Sequence, residues 1–239
     1  MHENKNLYES ADAVEYFARE EALQPPEAVV LAQLQPWLAT ASMLDLGVGA
    51  GRTTAHFAPA VRQYVGADYA APMIDVARQR FGDRYRFEVA DVRALPFETA
   101  AFDFVLFSFN GLDSIATEER LRGLEEIRRV LCTGGRFLFS THNLAALPEI
   151  FGHDDERAAA LRRHNPPLEE MLACEATFLH ERVFDGVPML TYYIRPEVQL
   201  AQLANACFTD VEIYGLDGRR VAAGEQPIDR WLYFLATAA

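Results

Sequence analysis

The sequence predicts a doubly wound α/β fold, and three observations carry that expectation. Short apolar runs alternate with segments of helical periodicity from residue 43 to residue 140. The first of these runs, Met43-Leu44-Asp45-Leu46, ends in a glycine cluster. A later one, Phe102–Phe107, is nearly all apolar, as a strand covered by helices on both faces must be. Right-handed crossovers then place helices on either side of a parallel sheet.

Each element follows in order. Residues 9–23 and 26–39 read as helices broken at Pro25-Pro26, with stripes of Val14, Phe17, Ala18, Leu23 and of Val29, Val30, Leu34, Trp37, Leu38. Strands are expected at 43–46, 64–67, 85–89, 102–107 and 136–140, and helices at 53–60 and 72–81. Leu121, Leu124, Ile127 and Leu131 mark a helix facing the sheet, with Thr117 as its N-cap and Gly134 past its end. From His142 the pattern breaks. Helices are expected at 144–151, 154–163 and 168–174, then two strands at 177–184 and 189–194 turning through Asp185-Gly186. This reads as an insertion lying over the sheet. A helix at 196–206 and strands at 208–214 and 231–236 close the domain, giving a seven-stranded core sheet besides the two strands of the insertion.

A chain of 239 residues is one large domain, or a domain with an insertion, at roughly 150 residues per domain. It can bury about 70–75% of its unfolded surface without disulfides or metal. The net charge of −13 repels phosphate backbones and anionic membranes, so neither nucleic acid nor membrane is the expected partner. Cys132, Cys174 and Cys207 form no C-x-x-C pair and suit reduced thiols in the cytoplasm. No apolar run reaches the ~18 residues of a membrane span, and residues 1–5 do not open a signal peptide. His153-Asp154-Asp155-Glu156 is rich in ligand atoms but reads as a solvated segment, so no metal is expected.

Three features at the carboxyl ends of successive strands converge on one cleft. The turn Gly47-Val48-Gly49-Ala50-Gly51 lets a ligand approach the backbone, and Arg at position 52 departs from the dinucleotide pattern G-x-G-x-x-G. Asp68 ends the second strand, 21 residues after Gly47, where a carboxylate can accept from both hydroxyls of a ribose. Tyr69 and Met73 follow and can sandwich a flat base. Asp91-Val92 follows the third strand, where an acid can take an adenine amine.

Leu44–Gly51, Gly66–Tyr69, Asp91-Val92, Phe102-Asp103-Phe104-Val105 and Arg129–Gly135 together resemble class I S-adenosylmethionine-dependent methyltransferases of the small-molecule type. The resemblance covers residues 40–141 at motif level and implies a Rossmann-like, mainly parallel sheet closed by an antiparallel hairpin at 208–214 and 231–236. It implies that Gly47, Gly49 and Gly51 hold the methionine part of S-adenosylmethionine, with Asp45 setting its amine, Asp68 its ribose and Asp91 its adenine. Val48, Val92 and Phe107 belong to the same cofactor set, as do Tyr8 and Tyr16 if the N-terminal helices cover the cofactor. It further implies an N-terminal helical cap at 1–40, a core at 41–141, a lid at 142–195 and the rest of the core at 196–239. Two departures are Cys132-Thr133 where Lys-Pro is common, and no Asn-Pro-Pro-Tyr signature in Phe107–Asp113. The second lowers the case for nucleic-acid bases.

Candidates for chemistry follow the fourth and fifth strands. His142 is the best general base, since an unperturbed imidazole titrates near neutrality, and it can equally satisfy a loop. Asn110 and Asp113 join it as catalytic candidates, and Asn143, Tyr192 and Tyr193 as substrate contacts, with only one of the two tyrosines able to face inward. Arg52 opposes its helix dipole, which calls for a carboxylate partner from ligand or protein, or a surface pair. Arg120, Arg122, Arg128 and Arg129 read as a solvated helix face. The expected activity is methyl transfer to oxygen or nitrogen of a small acceptor. A nicotinamide oxidoreductase, a nucleic-acid methyltransferase and a non-catalytic binding partner are the alternatives.

Overall fold

The structure, a computed structural model, describes residues 3–115, 117–183 and 187–239. The turn Asp185-Gly186 and the side chain of Thr117 lie outside the described residues. Strands β1 (Ser42–Leu46), β2 (Gln63–Asp68), β3 (Arg86–Val89), β4 (Phe102–Phe107) and β5 (Leu131–Asn143) pair in parallel in the order β3-β2-β1-β4-β5. Beyond β5 the sheet continues with β9 (Trp231–Ala238) and β8 (Phe208–Tyr214), both antiparallel to their neighbours. The sheet is thus mainly parallel with an antiparallel C-terminal hairpin, as the sequence led us to expect. All five residues of β1 are buried, because helices cover both of its faces. One core face gathers Leu44, Leu46, Val105, Phe137, Phe139 and Phe234, and the other Met43, Phe57, Phe104, Leu106 and Leu138.

The N-terminal region forms three helices, not two: α1 (Glu3–Tyr8), α2 (Ala11–Arg19) and α3 (Pro25–Leu38). Ser10 caps α2 by accepting from the Ala13 amide. After the glycine turn come a short α4 (Thr54–Phe57), α5 (Ala71–Phe81) and, before β5, α6 (Thr117–Val130). Two expectations need correction. Leu121 is exposed and Arg120 is fully buried, so the inward stripe of α6 is Arg120, Leu124, Ile127 and Val130. Thr141, His142 and Asn143 lie within β5, not after it, because β9 pairs with β5 as far as His142 opposite Trp231.

The insertion builds α7 (Leu147–Gly152), α8 (Glu156–His164), α9 (Leu168–Leu172) and a hairpin of β6 (Ala176–Val183) with β7 (Val187–Ile194). It has its own small core of Leu144, Leu147, Phe151, Leu161, Met171 and Leu179. The hairpin extends the sheet rather than lying over it, since Tyr193 and Ile194 pair in parallel with His142 and Asn143. Helix α10 (Pro196–Asn205) then leads into β8.

Candidate active site

The carboxyl ends of β1 to β4 open into one cleft, bounded on its far side by Asn4, Lys5 and Tyr8 of α1 and Phe17 of α2. Asp45, Gly47, Val48, Gly49, Asp68, Tyr69, Met73, Asp91, Val92 and Phe107 all line it, as does Tyr8 from α1. The cause is topological. β1 and its neighbours run parallel, so every turn that follows a strand emerges at the same edge.

The glycine turn is shaped by conformations closed to other residues. Gly47, Gly49 and Gly51 have φ of +59°, +54° and +90°. A Cβ on Gly47 would sit 2.7 Å from the Phe107 ring, whereas one on Gly49 would meet nothing within 4 Å. Gly51 does not line the cleft; a Cβ there would lie 2.4 Å from Phe81. Its role is to let α5 pack against the turn. Tyr16 is likewise outside the cleft, about half exposed and edge-on to Phe17.

Asp68 is 7% exposed and organises the turn: Oδ2 accepts from the Gly49 amide at 2.9 Å and Oδ1 from the Ala70 amide at 2.8 Å. A carboxylate has about four acceptor positions, so each oxygen keeps capacity for a ligand hydroxyl. Burial pushes its pKa up to about 6. Asp45 accepts from Thr53 at 2.5 Å and Tyr64 at 2.6 Å, both on Oδ2, and burial lifts it to about 7. The Tyr69 hydroxyl is buried with no hydrogen-bond partner among the described residues, and burial raises its pKa. Asp91 departs from the simple picture: its carboxylate is gripped by Arg93 at 2.5–3.1 Å, and Arg93 also meets Glu119 at 2.8 Å. A glycine cradle, a carboxylate with spare lone pairs and an orphaned phenol in one cleft fit an adenosyl ligand.

The sequence reading missed Glu27. It is fully buried in α3 and accepts from both terminal nitrogens of Arg52 at 2.6 and 2.7 Å, from Tyr233 at 3.1 Å, from the Gln24 amide at 2.8 Å and from Ser108. Arg52 lines the cleft, so the carboxylate sought for it is a protein one. The signal was in the sequence: Glu27 lies in register with Val30, Leu34 and Leu38, the buried stripe of α3.

The catalytic candidates come together one layer behind the cleft wall. Ser108, Phe109, Gly111 and Ser114 line the cleft, while Asn110, Asp113 and His142 do not. Asp113 Oδ2 accepts from the His142 amide and meets His142 Nδ1, each at 2.7 Å. Its Oδ1 accepts from Arg120 at 2.8 Å and Thr141 at 2.7 Å. The substrate-contact candidates are elsewhere. Asn143 ties the loop before β9 by donating to the Pro227 and Asp229 carbonyls. Tyr192 and Tyr193 are both buried, the first on Arg120 and Phe178, the second against His142 with its hydroxyl on Glu181. Neither faces the cleft. Alternation sends their rings to opposite faces, and a packed layer covers each. Asp155 caps α8, and among the described residues no group of three His, Cys, Asp or Glu side chains is placed to hold a metal ion. Among the same residues no helix is long and apolar enough to cross a membrane.

The comparisons agree with this geometry. A family model described as a methyltransferase domain matches residues 43–135. The demethylmenaquinone methyltransferase of Clavibacter sepedonicus is 36% identical over 110 residues, 45% of this chain and 44% of that protein. The chain spans half or less of the length of the first curated relatives it matches. An S-adenosylmethionine-dependent methyltransferase from Clostridium acetobutylicum superposes with a TM-score of 0.69 over 94% of this chain and 95% of its own, at 14% identity. The 1,6-didemethyltoxoflavin-N1-methyltransferase of Burkholderia thailandensis, solved with 1,6-didemethyltoxoflavin and S-adenosylhomocysteine, gives 0.64 over 99% and 87%, at 20% identity. Identities this low establish the shared fold. Residues 43–135 match the methyltransferase-domain family model, and the chain shares the fold of solved S-adenosylmethionine-dependent methyltransferases.

Proposed function

We propose that this protein transfers a methyl group from S-adenosylmethionine to a small-molecule acceptor. The observation that carries the reading is the convergence of Asp45, Asp68, Asp91 and the glycine turn on a single cleft. In this reading Gly47 and Gly49 admit the methionine backbone, Asp45 sets its amine and Asp68 takes the ribose hydroxyls. Tyr69 and Met73 flank the adenine, and Asp91 reaches its amine beside Arg93. When bound, the sulfonium supplies an already electrophilic methyl group. The chain's own task is then alignment and exclusion of water, and positioning alone can contribute ~7–11 kcal/mol. We assign residues 1–40 to covering the donor and 142–195 to shaping the acceptor side, at oxygen or nitrogen.

A small acceptor is supported by the charges at the cleft. Arg52 is paired with Glu27, Arg93 with Asp91 and Glu119, and Lys5 with Glu9 at 3.6 Å. A groove for nucleic acid needs cations left over for phosphates. A second reading, demethylmenaquinone as acceptor, takes its support from the name of the Clavibacter relative. Calorimetric titration with S-adenosylhomocysteine and with NADH tests the donor. Release of S-adenosylhomocysteine against a panel of small acceptors, demethylmenaquinone among them, tests the transfer. Binding of NADH in place of the sulfonium family would refute the reading.

A further inference from the structure

Behind the cleft wall lies a buried polar knot that alignment alone does not require. Arg120 is fully buried in α6. It donates to Asp113, to Thr141 at 3.1 Å and to Gln199 of α10 at 2.7 Å, and the Tyr192 ring lies 4.9 Å from it. Its ion pair with Asp113 has side-chain exposures of 0% and 1%. Desolvating such a pair costs several kcal/mol per ion, so its retention calls for a reason other than stability.

The division of labour on Asp113 supplies one. Oδ1 is saturated by Arg120 and Thr141, and Oδ2 is left for the backbone and ring of His142. A carboxylate accepts, so Nδ1 carries a proton, and in the neutral ring Nε2 then holds the bare lone pair. Packing against Tyr193 at 4.8 Å and Trp231 at 5.9 Å fixes the ring plane.

Among the described residues one group covers that lone pair, the Asn110 amide, with Nδ2 at 3.4 Å from Nε2. The cover is weakly held. The contact is long for a hydrogen bond, and Asn110 Oδ1 is buried with no partner among the described residues. The turn that carries it is also strained at its neighbour: Phe109 has φ of 54°, a left-handed conformation that asparagine tolerates at 60° but a bulky side chain avoids. Both neighbours of Asn110 line the cleft.

We infer that Asn110 is a displaceable cap over His142, and that the Arg120–Asp113 pair positions His142 as the base for an acceptor carrying a hydroxyl group. The acceptor hydroxyl replaces the Asn110 amide as donor to Nε2. As the acceptor oxygen bonds to the methyl carbon, the carbon–sulfur bond breaks with its electron pair left on sulfur, and the hydroxyl proton passes to Nε2. Asp113 stabilises the imidazolium, which then loses its proton to water. A neutral amine needs no such base at the moment of transfer, so the knot selects hydroxyl acceptors. This rests on the methyl-transfer reading, and its test is separable from it.

The test is long-range proton–nitrogen NMR of the histidine side chains at pH 8, with the His142 signals identified by their loss in His142→Gln. The expected result is a proton on Nδ1 and none on Nε2, a preference lost in Asp113→Asn. Phenol as a probe should perturb the Nε2 resonance, and at lower concentration in Asn110→Ala. A proton on Nε2 in the wild type overturns the proposal, as does an Nε2 signal that phenol leaves unmoved in both proteins. In turnover, His142→Gln should slow transfer to a hydroxyl acceptor by about 100-fold or more while S-adenosylhomocysteine affinity stays within about twofold. Equal turnover by the variant on a hydroxyl acceptor also overturns it. Failure to bind S-adenosylhomocysteine would instead strike the methyl-transfer reading, whatever the histidine spectra show.

Discussion

Replacing Glu27 by Gln keeps the shape of the side chain and removes its charge, and the geometry forecasts a large loss of stability. Oε1 accepts from Arg52, Ser108 and Tyr233, and Oε2 from Arg52 and the Gln24 amide. Whichever position becomes the amide nitrogen, its hydrogens face at least two donors. Arg52 meanwhile stays buried with its charge uncompensated, its side chain only 9% exposed. Breaking one side of a buried pair costs about 3–5 kcal/mol. At roughly 2–4 °C per kcal/mol for a domain of this size, the melting temperature should fall by about 6–20 °C. The assay is thermal unfolding by circular dichroism, beside Glu225→Gln as a control. Glu225 also pairs with Arg219, but that pair sits in solvent, where screening and side-chain entropy leave little net gain. Its melting temperature should match the wild type. Equal melting temperatures for the two variants would refute the assignment of Glu27–Arg52 as the tie between the N-terminal helices and the cleft.

Other outcomes follow from the same structure. Gly51→Ala combines a forbidden φ with a 2.4 Å clash against Phe81, so it should cost about 2–4 kcal/mol in urea unfolding. Gly49→Ala pays the backbone strain alone, about 1–2 kcal/mol, but sets a methyl group in the cleft; its signature is lost donor binding with most stability kept, and the reverse pattern would contradict the placement of the turn. Protonation of Asp68 removes the charge its ligand hydroxyls need, so S-adenosylhomocysteine affinity by calorimetry should fall as pH drops through about 6. The ligand-free protein should behave oppositely. Asp68 and Asp45 have folded pKa values above their unfolded ones, at about 6 and about 7, so their stabilising share is full below about pH 4 and is lost as pH rises through 6 to 7.

The cofactor side of the cleft was legible because strand ends and glycines write themselves into local sequence. Asp45 sits next to the end of an apolar run, Asp68 ends one and Asp91 follows one, and a parallel sheet leaves no choice about where such positions meet. Arg120 and Glu27 were harder, because a charge on a helix is most often solvated. Only the helical register, with Leu124, Ile127 and Val130 for the one and Val30, Leu34 and Leu38 for the other, marks them as inward. Tyr192, Tyr193 and Asn143 were placed at the acceptor side because they sit in the insertion or at its start. The pairing of β7 and β9 onto β5 turned them into packing, and such long-range pairing leaves no local trace.

Calorimetric titration of S-adenosylhomocysteine into the wild-type protein and into Asp68→Ala addresses the cleft itself. Saturable one-site binding is expected for the wild type. The variant should be weaker by about 1–3 kcal/mol, or roughly 5- to 150-fold, from the loss of charged hydrogen bonds. A wild-type protein that takes up no heat of binding, or a variant with undiminished affinity, would contradict the placement of the donor against this rim.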